Sequence, residues 1–169
     1  DRPLSRGLGD VYKRQGYATT IYNGGAVASA AGYIVDGQTT DAPIIGVLNG
    51  IFYNAATTLK PTFANFYTQV TPANSEDIDA FVFDSPTQQY VVATDDAVTQ
   101  AGFLETYDMN TSAGSDITGK SSATLDIGDT SADAATFRLL RVAEDPENED
   151  ITAARCSVVV VPNLIELQS

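Results

Sequence analysis

Downstream of Gly16, short apolar runs rich in β-branched and aromatic residues alternate with clusters of Gly, Pro, Asn and Asp. That is the pattern of strands separated by turns. Residues 17–22 (YATTIY) read as a strand ended by Asn23-Gly24-Gly25, and Tyr33-Ile34-Val35 runs into Asp36-Gly37, a second turn signal. Residues 44–53 are apolar on both faces. Strict alternation puts Ile45, Val47, Ile51 and Tyr53 on one side and Ile44, Leu48 and Phe52 on the other, with Gly46 and Gly50. Such a strand is covered twice and belongs in the centre of a sheet. The two glycines then allow a close backbone approach or a bend.

Further on, residues 62–70 alternate around Phe63 and Phe66-Tyr67, behind a Pro61 suited to the first position of a strand. Residues 78–84 and 89–94 flank Ser85-Pro86-Thr87 and are expected to form a tight hairpin. Leu125 and Ile127 alternate with Thr124 and Asp126, a half-buried pattern. Residues 136–144 and 155–161 form the last expected pair, joined through the acidic stretch 145–150. Only 96–105 is suited to a short helix, and 110–122 reads as a long polar loop. The expectation is an all-β antiparallel barrel or sandwich with a loop-rich front segment and at most one short helix.

Composition narrows the chemistry. The chain has 169 residues, a size that suits one domain with a sizeable core. It has no His, no Trp and one Cys, and its 22 carboxylates outnumber nine basic side chains for a net charge of −13. That charge argues against nucleic acid and anionic membrane as partners, and no apolar run approaches the ~18 residues of a membrane span. Cys156 stands alone in a Val-rich run, so it is expected to be a buried thiol and not a nucleophile. The lack of an internal disulfide fits synthesis in a reducing cytoplasm.

Residues 1–15 are unlike the rest: they hold Arg2, Arg6, Lys13 and Arg14, four of the nine basic residues. The string GLGDVYKRQ resembles translated sequencing-adapter sequence, and no initiating Met precedes it. This segment is therefore expected to be non-native, with the natural N-terminus lost, and residues 16–169 to form a single β-rich domain whose front part, 16–42, is an extended segment.

Within 16–169 the strings GYATTIYNGG (16–25), GYIVDG (32–37) and PIIGVLNGIFY (43–53) resemble the front half of capsid decoration (cement) proteins of marine tailed bacteriophages, of pelagiphage and cyanophage type. The similarity continues through 66–95, SSATLDIGD (121–129), FRLLRVAEDPENE (137–149) and VVVVPNLIEL (158–167). Gly24-Gly25 stands where that family tends to have Gly-Asp, Leu48 replaces a usual Phe, and no His follows the final strand. The resemblance implies a non-enzymatic virion protein with no cofactor and no metal. It would be made in the cytoplasm of a bacterial host and bound to the major capsid protein on the outer shell; a homo-trimer on capsid three-fold positions satisfies symmetry most simply, with a dimer or monomer as the alternatives. The low-charge stretch 26–42 is the segment expected to lie on the capsid.

Other chemistry was weighed residue by residue. Asp145, Glu147, Glu149 and Asp150 offer oxygen ligands for Ca²⁺, but the spacing is not that of an EF-hand, and a solvated hairpin tip is the simpler reading. Asp95-Asp96 with Glu105 and Asp108 could imitate a glycosidase pair. Lys60, Arg138, Arg141 and Arg155 could form a basic patch, with Arg138 and Arg155 on neighbouring strands offsetting carboxylates. Asn110-Thr111-Ser112 matches a glycosylation sequon, which has meaning only on a secretory route. The rival functional reading is a carbohydrate-binding or tail-associated β-module, which needs Tyr53, Tyr67, Tyr90 and Tyr107 grouped on an exposed face.

Overall fold

The computed structural model describes residues 9–13 (backbone), 17–38, 43–110, 114–128, 135–144, 146 and 150–163. Its strands are β1 (Gly9–Lys13), β2 (Ala26–Ala30), β3 (Tyr33–Asp36), β4 (Ile44–Asn54), β5 (Pro61–Ala64), β6 (Ile78–Phe83), β7 (Tyr90–Ala93), β8 (Thr106–Tyr107), β9 (Phe137–Val142) and β10 (Ser157–Pro162). They form two antiparallel sheets. The first has the order β1-β6-β4-β2-β3, with β5 sharing the β2 edge of β4; the second has the order β7-β10-β9-β8. Neither sheet closes on itself, so the fold is an all-β sandwich and not a barrel. The helix expected within 96–105 is a single 3₁₀ turn, Gln100–Gly102, and a second such turn spans Ala73–Ser75.

β4 is the central strand, as its two apolar faces require, but strict alternation misplaces its side chains. The register slips twice, once against β2 and once against β6, between Leu48 and Gly50. Each bulge adds one residue and flips the strand's phase. Ile45, Leu48 and Ile51 consequently share one face, while Ile44 and Val47 turn to the other, Val47 opposite Ala26. Leu48 had been expected beside Ile44, and Val47 beside Ile45. Gly46 is where backbones meet: an added Cβ would strike the Phe83 carbonyl oxygen.

Two cores result. The first lies under β2, β3, β4 and β6 and is made of Val27, Ile34, Ile45, Leu48, Ile51, Ile78, Ala80 and Val82, closed from outside by Ile21 and Tyr67. The second sits on the opposite face, where Ala26 and Ile44 meet Tyr107, Phe137, Leu139, Cys156, Val158 and Val160 around the second sheet. A bulge against β10 leaves Phe137 and Leu139 buried with Val142 packed beside them. Full burial of each such side chain contributes about 1.5–3 kcal/mol before the ordering entropy is counted. Cys156 is buried here as a small apolar group.

Several expected strands resolve differently. Residues 17–22 form no strand; Ile21 makes one antiparallel bridge to Tyr67, with mutual N–H to carbonyl bonds of 3.0 and 2.8 Å. The 62–70 strand ends at Ala64, and Tyr67 serves the same bridge. Leu125 likewise makes isolated bridges, to Thr94 and Met109, instead of extending into a ladder. The 26–36 part of the front segment is a hairpin of the first sheet, with Ala26, Val27 and Ala28 buried in the chain's own cores. It is therefore a sheet hairpin and not an extended segment; residues 39–42 fall outside the described residues.

The hairpin expected around Ser85-Pro86-Thr87 is also absent. β6 and β7 exist and a turn joins Gln88 N–H to the Ser85 carbonyl at 3.0 Å, but the two strands belong to different sheets. The final pair, β9 with β10, forms as expected. The long loop, where described, is pinned by its own contacts. Tyr22 stacks on Phe66 with ring centroids 5.8 Å apart and donates its hydroxyl to Asp116 at 2.7 Å, and Asn65 donates to the Thr118 carbonyl.

Candidate functional site

Of the carboxylates singled out from sequence, Asp95 and Asp108 brace the fold. Asp95 accepts the Ile127 N–H at 2.9 Å, and Asp108 accepts both the N–H and the hydroxyl of Thr136, at 2.9 and 3.1 Å. Asp96 accepts the N–H of Ala97, and Glu105 is exposed, its carbonyl taking the Leu139 N–H. Asp95 and Asp108 thus tie the segments around 126 and 136 to the second sheet, each accepting one backbone N–H and one side-chain donor. Of the acidic stretch, Asp145, Glu147 and Glu149 lie outside the described residues. Asp150 is exposed and accepts the Thr152 hydroxyl at 2.6 Å and its N–H at 2.9 Å, bonds that hold its carboxyl below the usual range. Among the described residues no group of three or more His, Cys, Asp or Glu is placed to hold a metal ion.

The basic side chains do not converge. Arg138 donates to Asn163 at 3.2 Å, and Arg141 pairs with Glu144 at 3.2 Å across an exposed surface. Arg155 sits in a turn with φ of 66°, not on a strand beside Arg138, and Lys60 lies on the turn before β5 of the other sheet. Asn110 donates weakly to Asp95, at 3.5 Å; Thr111 and Ser112 of the sequon lie outside the described residues.

The tyrosines are divided between the cores. Tyr67 is fully buried in the first and donates to the Tyr17 carbonyl at 2.9 Å; Tyr107 is buried in the second and donates to the Gly102 carbonyl at 3.1 Å. Burial pushes both phenols up. Tyr53 packs half-buried against the first core, and Tyr90 stands edge-on to Phe137 at 6.2 Å. This is not a shared sugar-binding platform.

What the structure gathers instead is phenylalanine. On the face of the first sheet opposite its own core, Phe52 lies across from Phe63 and from Asp79, and Phe81 lies across from Gly50. Phe83 follows two residues beyond Phe81 on the same face. Phe63 and Phe81 approach to 6.0 Å between ring centroids. Gly50 makes the floor: an added Cβ there would sit 2.7 Å from the Phe63 ring, so the aromatic lies directly on backbone. The second sheet covers this face only at the Ala26 and Ile44 end, and beyond it Phe63 is 61% and Phe83 37% exposed. Asp79 lies among the rings, Glu76 reaches Asn54 at 3.1 Å on the same strand face as Phe52, and Asp84 follows Phe83.

Sequence reasoning missed this surface because it makes 78–84 only one arm of a hairpin and assigns no side of it to solvent. The phenylalanine side is covered only at its Ala26 and Ile44 end. The available signal was the preference for Phe over Val or Ile on the odd positions 81 and 83, matched by Phe63 on the neighbouring hairpin.

A groove of about 390 Å³ opens between the sheets, with Ala26, Val47, Val92 and Phe137 along it and Ser121 and Arg155 at its polar side. No protein-family model, curated protein or solved structure matches this chain.

Proposed function

We propose that this protein is a structural virion component that binds the outer surface of a tailed-phage capsid and stabilises the expanded shell. What supports the reading is the resemblance of the strings between residues 16 and 167 to marine phage decoration proteins, with which the all-β fold is compatible. A cement protein must be rigid, must fold without a cofactor, and must keep the particle surface from self-association. Two cores flanking β4 supply rigidity, and the net charge of −13 supplies mutual repulsion between particles. Carboxylates committed to backbone donors, as at Asp95 and Asp108, fit a framework role better than an acid–base one.

In this role the protein is not an enzyme. It acts by mass action: a subunit that binds only the expanded lattice lowers the free energy of that state at every occupied site. Contacts to several capsid subunits, or a trimer placed on a lattice three-fold axis, make modest affinities sufficient. Its partner is the major capsid protein, and it sits on the outside of the virion, with neither nucleic acid nor membrane as a ligand. Co-sedimentation with empty expanded heads tests this. Binding to expanded heads without binding to free capsid protein is the expected result, and equal indifference to both would remove the proposal.

A further inference from the structure

The Phe52, Phe63, Phe81 and Phe83 face lies on three hydrogen-bonded strands of the first sheet. Its strands are β4, β5 and β6, and β4 is buried on its other side against the first core. Exposed aromatic rings on a fixed sheet lose little entropy on docking, and contiguous apolar surface of this kind marks interaction sites. The charged residues on β6 and its flanks are acidic: Glu76, bonded to Asn54, Asp79 among the rings, and Asp84 beside Phe83. One cation, Lys60, lies in the exposed turn before Pro61, at the end of the β4–β5 hairpin.

From this we infer that the phenylalanine face is the surface that meets the shell, and that it takes an apolar patch of the capsid protein bordered by Lys or Arg. The inference rests on the decoration reading and adds the docking site and its chemistry. Charge complementarity selects the occupant. Two copies of this chain meeting through the face would set Glu76, Asp79 and Asp84 against their own counterparts, and like-charge juxtaposition at an interface is strongly unfavourable. A partner with a basic rim gains from the same three groups. The Phe side chains then fill its apolar centre, and the acidic loops elsewhere remain turned to solvent.

The test uses the full chain and empty expanded heads of a pelagiphage stripped of their decoration protein. Phe63→Ser and Phe83→Ser are each expected to weaken co-sedimentation at least about ten-fold, the scale of a buried aromatic anchor. Val91→Ser and Ile117→Ser, also at exposed apolar positions, should bind as the parent does. Asp79→Lys should weaken binding, and added NaCl should weaken binding by the parent. Unchanged far-UV circular dichroism and melting temperature for Phe63→Ser confirm that folding is intact. Parent binding with undiminished binding by both Phe variants overturns the inference and leaves the decoration reading standing. No binding by the parent overturns both. A parent oligomer that Phe63→Ser converts to monomer, by sedimentation velocity, makes the face a subunit interface and also overturns the inference.

Discussion

The Tyr90 hydroxyl donates to the carbonyl oxygen of Phe83 at 2.9 Å, and that bond crosses from the second sheet to the first. Seven residues apart, the two ends of a presumed hairpin lie on different layers, held together by a side chain where a ladder would have used backbone. The bond also marks where the second sheet stops covering the first and the phenylalanine face begins.

Burial, together with the nearby charge of Asp84, pushes the Tyr90 phenol from 10.0 up to about 12. The folded state therefore keeps a proton that the unfolded chain releases near pH 10, so this contribution is intact below that pH. It is lost as pH rises from 10 to about 12. Tyr90→Phe should flatten the fall in melting temperature over that range and remove a phenol that titrates at 295 nm near pH 12. Tyr67 and Tyr107, also raised, leave a residual slope.

The phase of β4 can be checked by truncation. Leu48→Ala should cost about 2–5 kcal/mol in urea unfolding, as for other buried leucines, because Leu48 sits with Ile45 and Ile51 in the first core. Ile117→Ala, at a fully solvated turn, should stay within about 0.5 kcal/mol. A small effect at Leu48 would mean the bulges are absent.

Gly46 and Gly32 should fail for different reasons. Gly46→Ala drives a methyl into the Phe83 carbonyl and the Val82 side chain, an overpacking expected to cost about 1–3 kcal/mol or more. Gly32→Ala meets open space but holds φ at +83°, a backbone cost of about 1–2 kcal/mol. Urea midpoints measure both. Only the Gly46 variant should also disturb near-UV aromatic signals, through the displaced strand at Phe83.

Asp108→Ala removes the acceptor for two donors of Thr136. Bonds to a charged group are worth about 1.5–3 kcal/mol, so stability should fall by that order. Thr136→Val, which keeps the N–H bond and loses the hydroxyl one, should cost less. Binding to expanded heads should be unchanged in both, since neither residue touches the phenylalanine face. Reduced binding at full stability would relocate the docking surface to this side of the molecule.

Much of the framework was legible because it is local. Val-rich β10 and its partner β9 declare themselves by composition and by the acidic connection between them. Pro61 does begin β5, where its missing N–H is harmless. The two-sided apolarity of 44–53 does identify the central strand. The misplacements share one cause, that pairing is non-local. Residues 17–22 carry strand-like letters yet find a single bridge at Tyr67, because a ladder needs a partner far along the chain that local letters do not specify. The same argument applies to the hairpin at 84–89, where turn chemistry was correct and the partner was not.

Alternation, turn residues and an acidic, histidine-free composition were enough by themselves to determine an all-β protein with β4 at its centre and a buried lone thiol. Tertiary structure alone decided which side of each strand is wet. A bulge of one residue inverts a face at almost no cost in local propensity, and coverage by a second layer depends on contacts made far along the chain. That is why Leu48 is inside, and why Phe63 and Phe83 are out.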